Sequence, residues 1–189
     1  YLMLAATLAF LATHEREGAP LEMPATAPPW LVPLKVSALL LAASVLAISV
    51  FTFTKVVYAN NRAWQGYDYF VRLLPVEGIE SFKQALEVRQ PYADDIRARY
   101  LQTLSQASQR MEIPNAPEQA QFALDEFQKT LAGDPHNYLW HQLQAEAKVQ
   151  FGESIHKELS KGAESDIERA IALSPNRQEL LYVYGKIKY

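Results

Sequence analysis

From Asn60 onward, apolar residues recur every three or four positions, the period of a helix with one buried face. Trp64, Tyr67, Phe70 and Leu74 form one stripe; Ile79, Phe82 and Leu86 form a second; Ile96, Tyr100, Leu104 and Met111 form a third. No stretch alternates apolar and polar residues with period two, so strands are not expected. Before residue 60 the pattern changes in kind. Between Lys35 and Lys55 there is no ionisable residue, and Val36 to Thr54 reads VSALLLAASVLAISVFTFT, apolar on every face. As a helix this stretch spans about 28 Å, close to the hydrocarbon core of a bilayer. The pattern predicts a transmembrane helix over residues 32–58. The competing reading, a core helix of a soluble protein, normally shows a polar stripe.

The flanks fit a membrane span. Trp30 precedes it and Tyr58 and Trp64 follow it, at the spacing of interfacial aromatic anchors. Lys35 and Lys55 sit where their stems can snorkel to the surface. Residues 1–13, YLMLAATLAFLAT, are equally apolar but too short to cross. They lack the initiating Met and basic start of a signal peptide. The expectation is the end of a preceding transmembrane helix whose start is missing, in a C-terminal fragment of a longer membrane protein. Residues 14–31 form a Pro-rich loop. Basic residues on the two sides of the span differ by about one charge, leaning toward a cytoplasmic back half.

Several local signals mark helix boundaries further on. Asn115 to Glu118 (NAPE) reads as a capping box. Gly133 reads as a C′ stop. Asp134-Pro135 and Ser174-Pro175 each read as a cap followed by Pro at the first helical position. Internal similarity is more informative. Gly78, Phe82 and Ala85 share a small–bulky–small spacing with Ala123, Phe127 and Thr130, and with Ala163, Ile167 and Ala170. Each set leads to a proline: Pro91, Pro135 and Pro175. The spacing puts each triplet on one helix face, where small residues admit a neighbouring helix and the large one fills the gap. Gly66 and Tyr69 precede the first set, and Gly185 follows Pro175.

These residues resemble the tetratricopeptide repeat (TPR). The resemblance implies an all-α fold in which residues 59–189 form antiparallel helix pairs stacked as a TPR-like α-solenoid. Thr130 stands where the family has a small residue, Pro91 is one place late, and the proline spacings are longer than the family's 34-residue period. The first helix of the middle unit lacks the signature. A plain helical bundle is the alternative. In either case Leu181, Tyr184 and Ile187 near the end present apolar surface. Further repeats or a protein partner are expected to cover it.

Candidate chemistry is sparse. The chain has four histidines; His136 and His141 are five apart, which places them on different helix faces, and no HExxH occurs. Capping or surface roles are expected of the histidines. Asp94-Asp95 and Asp125-Glu126 read as solvated helix faces or first-turn charges. There is no GxxxxGK[ST], GxSxG or GxGxxG. No catalytic residue, cofactor or metal site is expected. Trp64, Tyr67, Tyr69 and Phe70 could stack on a sugar or peptide, but repeat core plus interfacial anchoring explains them as well.

Composition sharpens this picture. The chain has 189 residues, 49% hydrophobic, with no cysteine and a net charge of −3. That balance gives no electrostatic footprint for nucleic acid. The absence of cysteine removes disulfides and thiolate chemistry. The charges are unevenly placed: residues 1–59 carry three basic and three acidic groups, and the remaining fifteen and eighteen fall in residues 60–189.

The last span, the junction KVVYANNRAWQGYDYFVRLLP (Lys55 to Pro75) and the unit GIESFKQALEVRQP (Gly78 to Pro91) together resemble the C-terminal end of the O-antigen ligase/polymerase family of bacterial membrane proteins. The resemblance implies a bacterial inner-membrane protein of cell-surface polysaccharide assembly, with an extracytoplasmic helical tail acting as a docking or stabilising scaffold. A polyprenyl-linked glycan would be handled only by a catalytic part absent from this chain. The alternative is a membrane-tethered TPR adaptor that binds an extended peptide and has no enzymatic activity.

Overall fold

The computed structural model describes residues 31–188, with residues 31–36 described in backbone only. The expected helix end over 1–13, the loop over 14–31 apart from Leu31, and the anchor Trp30 lie outside the described residues. The described residues divide into two units, one ending at Ile48 and the other beginning at Ser49. Every regular element among the described residues is helical. Helix α1 runs Leu31–Val71 and contributes to both units. It is followed by α2 (Pro75–Glu87), α3 (Ala93–Ser108), α4 (Ala116–Gly133) and α5 (Tyr138–Ser154). A 3₁₀ turn at Lys157–Ser160 leads to α6 (Ala163–Leu173) and α7 (Gln178–Lys188).

In the first unit the described helix is solvent-facing: Leu39, Leu40, Leu41 and Leu46 are all exposed. In the second unit each helix packs against the next. The core begins with small residues on α1. Its buried face is Ala59, Ala63, Gly66 and Phe70, whereas Trp64, Tyr67 and Leu74 are exposed. The expected stripe of large residues is therefore shifted by a partial turn. Small side chains allow closer helix approach than Trp or Tyr would, so the tight α1–α2 crossing selects the Ala/Gly face. Aromatic rings then connect successive helices. Phe70 of α1 lies 6.3 Å from Phe82 of α2, Phe82 lies 5.0 Å from Tyr100 of α3, and Tyr100 lies 6.2 Å from Phe122 of α4. Phe127 of α4 meets Trp140 of α5 edge-on at 5.9 Å. A smaller cluster of Ala145, Ile167, Ala170 and Leu180 holds α5, α6 and α7 together.

The helix ends differ from their sequence signals. Asn115 does precede α4, but it is left-handed and its side chain makes no capping bond, so the capping box does not form. Gly133 is the last residue of α4 and has no positive φ; Asp134 follows it outside the helical region. Pro135 and Pro175 sit in turns, three residues ahead of the next helix. A proline disfavours the helical region for the residue before it. Asp134 (φ −140°, ψ 75°) and Ser174 (φ −145°, ψ 72°) have nearly the same geometry and end α4 and α6 alike. Each turn closes by the same bond, from Asn137 N–H to Asp134 O and from Arg177 N–H to Ser174 O. The cap of α5 is Asn137, whose side chain accepts from Leu139 N–H at 3.1 Å.

Candidate membrane interface and helix crossings

Among the described residues, the apolar part of α1 exposes a run of large hydrophobic side chains. The helix from Ser37 to Val71 is long and apolar enough to cross a membrane, with a mean hydropathy of 2.1 in its most apolar window, none of it buried. Two of its hydroxyls return to the backbone: Ser44 donates to Leu40 O at 2.8 Å and Thr54 to Phe51 O at 2.9 Å. These two hydroxyls are thereby satisfied within the helix, as a hydrocarbon solvent favours.

At the end of this stretch the charged and aromatic residues pair with one another. Lys55 Nζ lies 4.3 Å from the centre of the Phe51 ring. Arg62 Nε donates to Tyr58 Oη at 3.3 Å and its guanidinium stacks on the Tyr58 ring. Trp64 is half exposed and carries the Arg99 guanidinium 4.3 Å above its ring. A groove of about 590 Å³ opens here, lined by Thr54, Lys55, Tyr58, Glu87, Val88 and Arg89. Arg89 comes from the segment after α2, and no sequence spacing links it to Lys55.

The small–bulky–small positions occupy the helix crossings. Gly78, Phe82 and Ala85 are buried, as are Ala123, Phe127 and Thr130, and Ala163, Ile167 and Ala170. Gly66 is buried, Tyr69 half-buried and Pro91 exposed in a turn. Pro135 and Pro175 are likewise exposed. Gly185 faces open space, with nothing within 4 Å of where a Cβ would stand.

Thr130 has a chemical role that a small apolar residue could not fill. Its hydroxyl donates to Asp94 Oδ1 at 2.9 Å, tying α4 to the first turn of α3. Asp94 also pairs with Arg97, which reaches Glu126, and Lys129 completes the chain at Glu126. Asp94 is a first-turn charge of α3, as its sequence context suggests, and also belongs with Glu126 to an interhelical network; Glu126 is largely buried rather than solvated. Sequence reasoning also missed the Lys148–Asp166 pair, 2.7 Å apart and largely buried, which joins α5 to α6. These links connect residues 18 to 36 positions apart, beyond any helical periodicity.

A second groove, of about 630 Å³, lies between the end of α3, α5 and α7. Gln142, Glu146, Gln150 and Glu153 line one wall, and Tyr182 and Lys186 line another. His141 and His156 act locally. His141 Nε2 lies 3.0 Å from Pro135 O, and His156 Nδ1 accepts from Glu158 N–H to cap the 3₁₀ turn. Among the described residues no group of three or more His, Asp or Glu side chains is placed to hold a metal ion. Tyr100 is fully buried and its hydroxyl has no hydrogen-bond partner; burial pushes its phenol well above the ordinary value near 10. Compared with protein-family models, curated proteins and solved structures, the chain matches none.

Proposed function

We propose that this chain is a membrane-anchored helical scaffold: the C-terminal segment of an O-antigen ligase/polymerase-like protein of the bacterial inner membrane. In this reading α1 anchors the chain in lipid and the later helices form a TPR-like α-solenoid on the extracytoplasmic side. That solenoid serves cell-surface polysaccharide assembly by docking or stabilising other parts, and takes no catalytic role itself. The observation that carries the anchoring is the exposure of Leu39, Leu41, Phe51 and Phe53, each more than 60% accessible on a helix long enough to cross. Burying such surface in lipid is worth roughly 25 cal/mol per Å² of apolar area. The TPR-like reading is supported by the nine buried small–bulky–small residues and by the matching turns at Pro135 and Pro175.

The test is fractionation of cells expressing the full chain. It should pellet with membranes, resist alkaline carbonate and be released by detergent. Recovery in the carbonate supernatant would overturn the anchoring. Protease added to intact spheroplasts should digest the tail; protection until the membrane is opened would put the tail on the cytoplasmic side.

A second reading, a membrane-tethered adaptor without enzymatic parentage, is favoured by the groove between α3, α5 and α7. Its amide and carboxylate side chains suit the backbone of an extended peptide. Co-purification of a single stoichiometric protein, lost on Gln150→Ala together with Tyr182→Ala, would favour the adaptor.

A further inference from the structure

We infer that the groove formed by Lys55, Tyr58 and Arg89 is a binding site for the phosphate of an anionic phospholipid headgroup. Lys55 is the first charge after nineteen uncharged residues, so the groove lies where the proposed span leaves hydrocarbon. The inference therefore rests on the membrane reading above.

Three features give the groove its chemistry. Two cations, Lys55 and Arg89, line the groove with a single carboxylate, Glu87. Arg89 makes no hydrogen bond or ion pair with any described residue, so its planar donor fork is available for a phosphate. Tyr58 is held by Arg62 Nε, which donates to its oxygen and leaves the phenolic hydrogen free to donate outward. Val88 in the groove lining, and the exposed Phe51 ring next to Lys55 on α1, suit the glycerol and upper acyl region of the same lipid. A soluble phosphate would use the cations but not this apolar flank.

The test uses the full chain in two sets of lipid nanodiscs. One contains phosphatidylcholine alone; the other contains equal parts of phosphatidylcholine and phosphatidylglycerol. Lipid retained after mild detergent extraction is identified by native mass spectrometry. The wild-type chain should retain phosphatidylglycerol preferentially. Arg89→Gln should reduce that preference about fivefold, as expected for loss of one juxtamembrane cation. Lys55→Gln should do the same, and Arg89→Lys should restore part of it. Equal retention of the two lipids, or an unchanged preference in both Gln variants, would overturn the site. Displacement of the lipid by millimolar glycerol phosphate would overturn the lipid source in favour of a free phosphate. Failure of the chain to enter either disc would instead overturn the membrane reading, whereas entry with equal retention defeats only the headgroup site.

Discussion

Gly66 of α1 and Gly78 of α2 face each other backbone to backbone. A Cβ on Gly66 would lie 3.1 Å from Gly78 O, and one on Gly78 would lie 3.2 Å from Gly66 O. The rings fill what remains, since the same Cβ atoms would meet Phe82 at 2.6 Å and Phe70 at 2.8 Å. Neither backbone nor the buried rings can give way cheaply, because the core is close-packed. Gly66→Ala and Gly78→Ala are each expected to destabilise the fold by about 2–3 kcal/mol through overpacking. Gly185→Ala, which meets open space, should be neutral or slightly stabilising. Urea denaturation of the detergent-solubilised chain, followed by circular dichroism, compares the three. Equal effects would refute the crossing.

Leu73 follows α1 in a left-handed conformation, with φ 61°. Leu74 N–H donates to Tyr69 O and Leu73 N–H to Phe70 O, the bond pattern of a Schellman stop. Leucine is strained there and two-thirds exposed. Leu73→Gly should raise stability by about 0.5–1 kcal/mol, which thermal melts of the paired variants can detect. A loss of stability would mean that the leucine side chain packs against something.

Phe127 is fully buried against Trp140. Phe127→Ala should destabilise by about 3–5 kcal/mol. A change below about 1 kcal/mol would place the ring at the surface.

Thr130 tests whether the α3–α4 network matters. Thr130→Val keeps the volume but removes the bond to Asp94, and should cost about 1 kcal/mol. Asp94→Ala combined with Thr130→Val should then lose less than the sum of the two single changes, because the two residues share one interaction. Strict additivity would show the bond to be inconsequential.

Tyr100 makes stability pH-dependent. Its folded pKa is raised, so the native state holds the phenolic proton more tightly than the unfolded chain does. The resulting stabilisation is complete below about pH 10 and is lost as pH rises past that value. Tyr100→Phe should therefore unfold at higher pH than the wild type, with little change at neutral pH. In an absorbance titration of phenolate, one of the ten tyrosines should ionise only together with the loss of helix. Ionisation of all ten before any helix is lost would contradict its burial.

Much of the helical frame can be read from spacing. Positions four and seven apart share a face, so Gly78, Phe82 and Ala85 can be grouped without coordinates. The uncharged run from Val36 to Thr54 likewise marks a helix with no polar side. Turn geometry is less legible. Spacing assigns Pro135 and Pro175 to first helical positions, yet three-residue turns intervene, closed by the bonds from Asn137 N–H to Asp134 O and from Arg177 N–H to Ser174 O. The stripe through Trp64 and Tyr67 misplaces the core face because a periodic pattern cannot tell a lipid- or water-facing aromatic from a core one.

Local sequence determined the elements: where helices run, which stretch is apolar on all sides and which residues share a face. These follow from interactions within a few positions of the chain. Only the tertiary structure decided which α1 face is buried, that Thr130 bonds Asp94, that Lys148 pairs with Asp166 and that Arg89 joins Lys55. Those outcomes depend on how closely two backbones approach and on which charges meet across a gap, and neither is encoded at any fixed spacing along the chain.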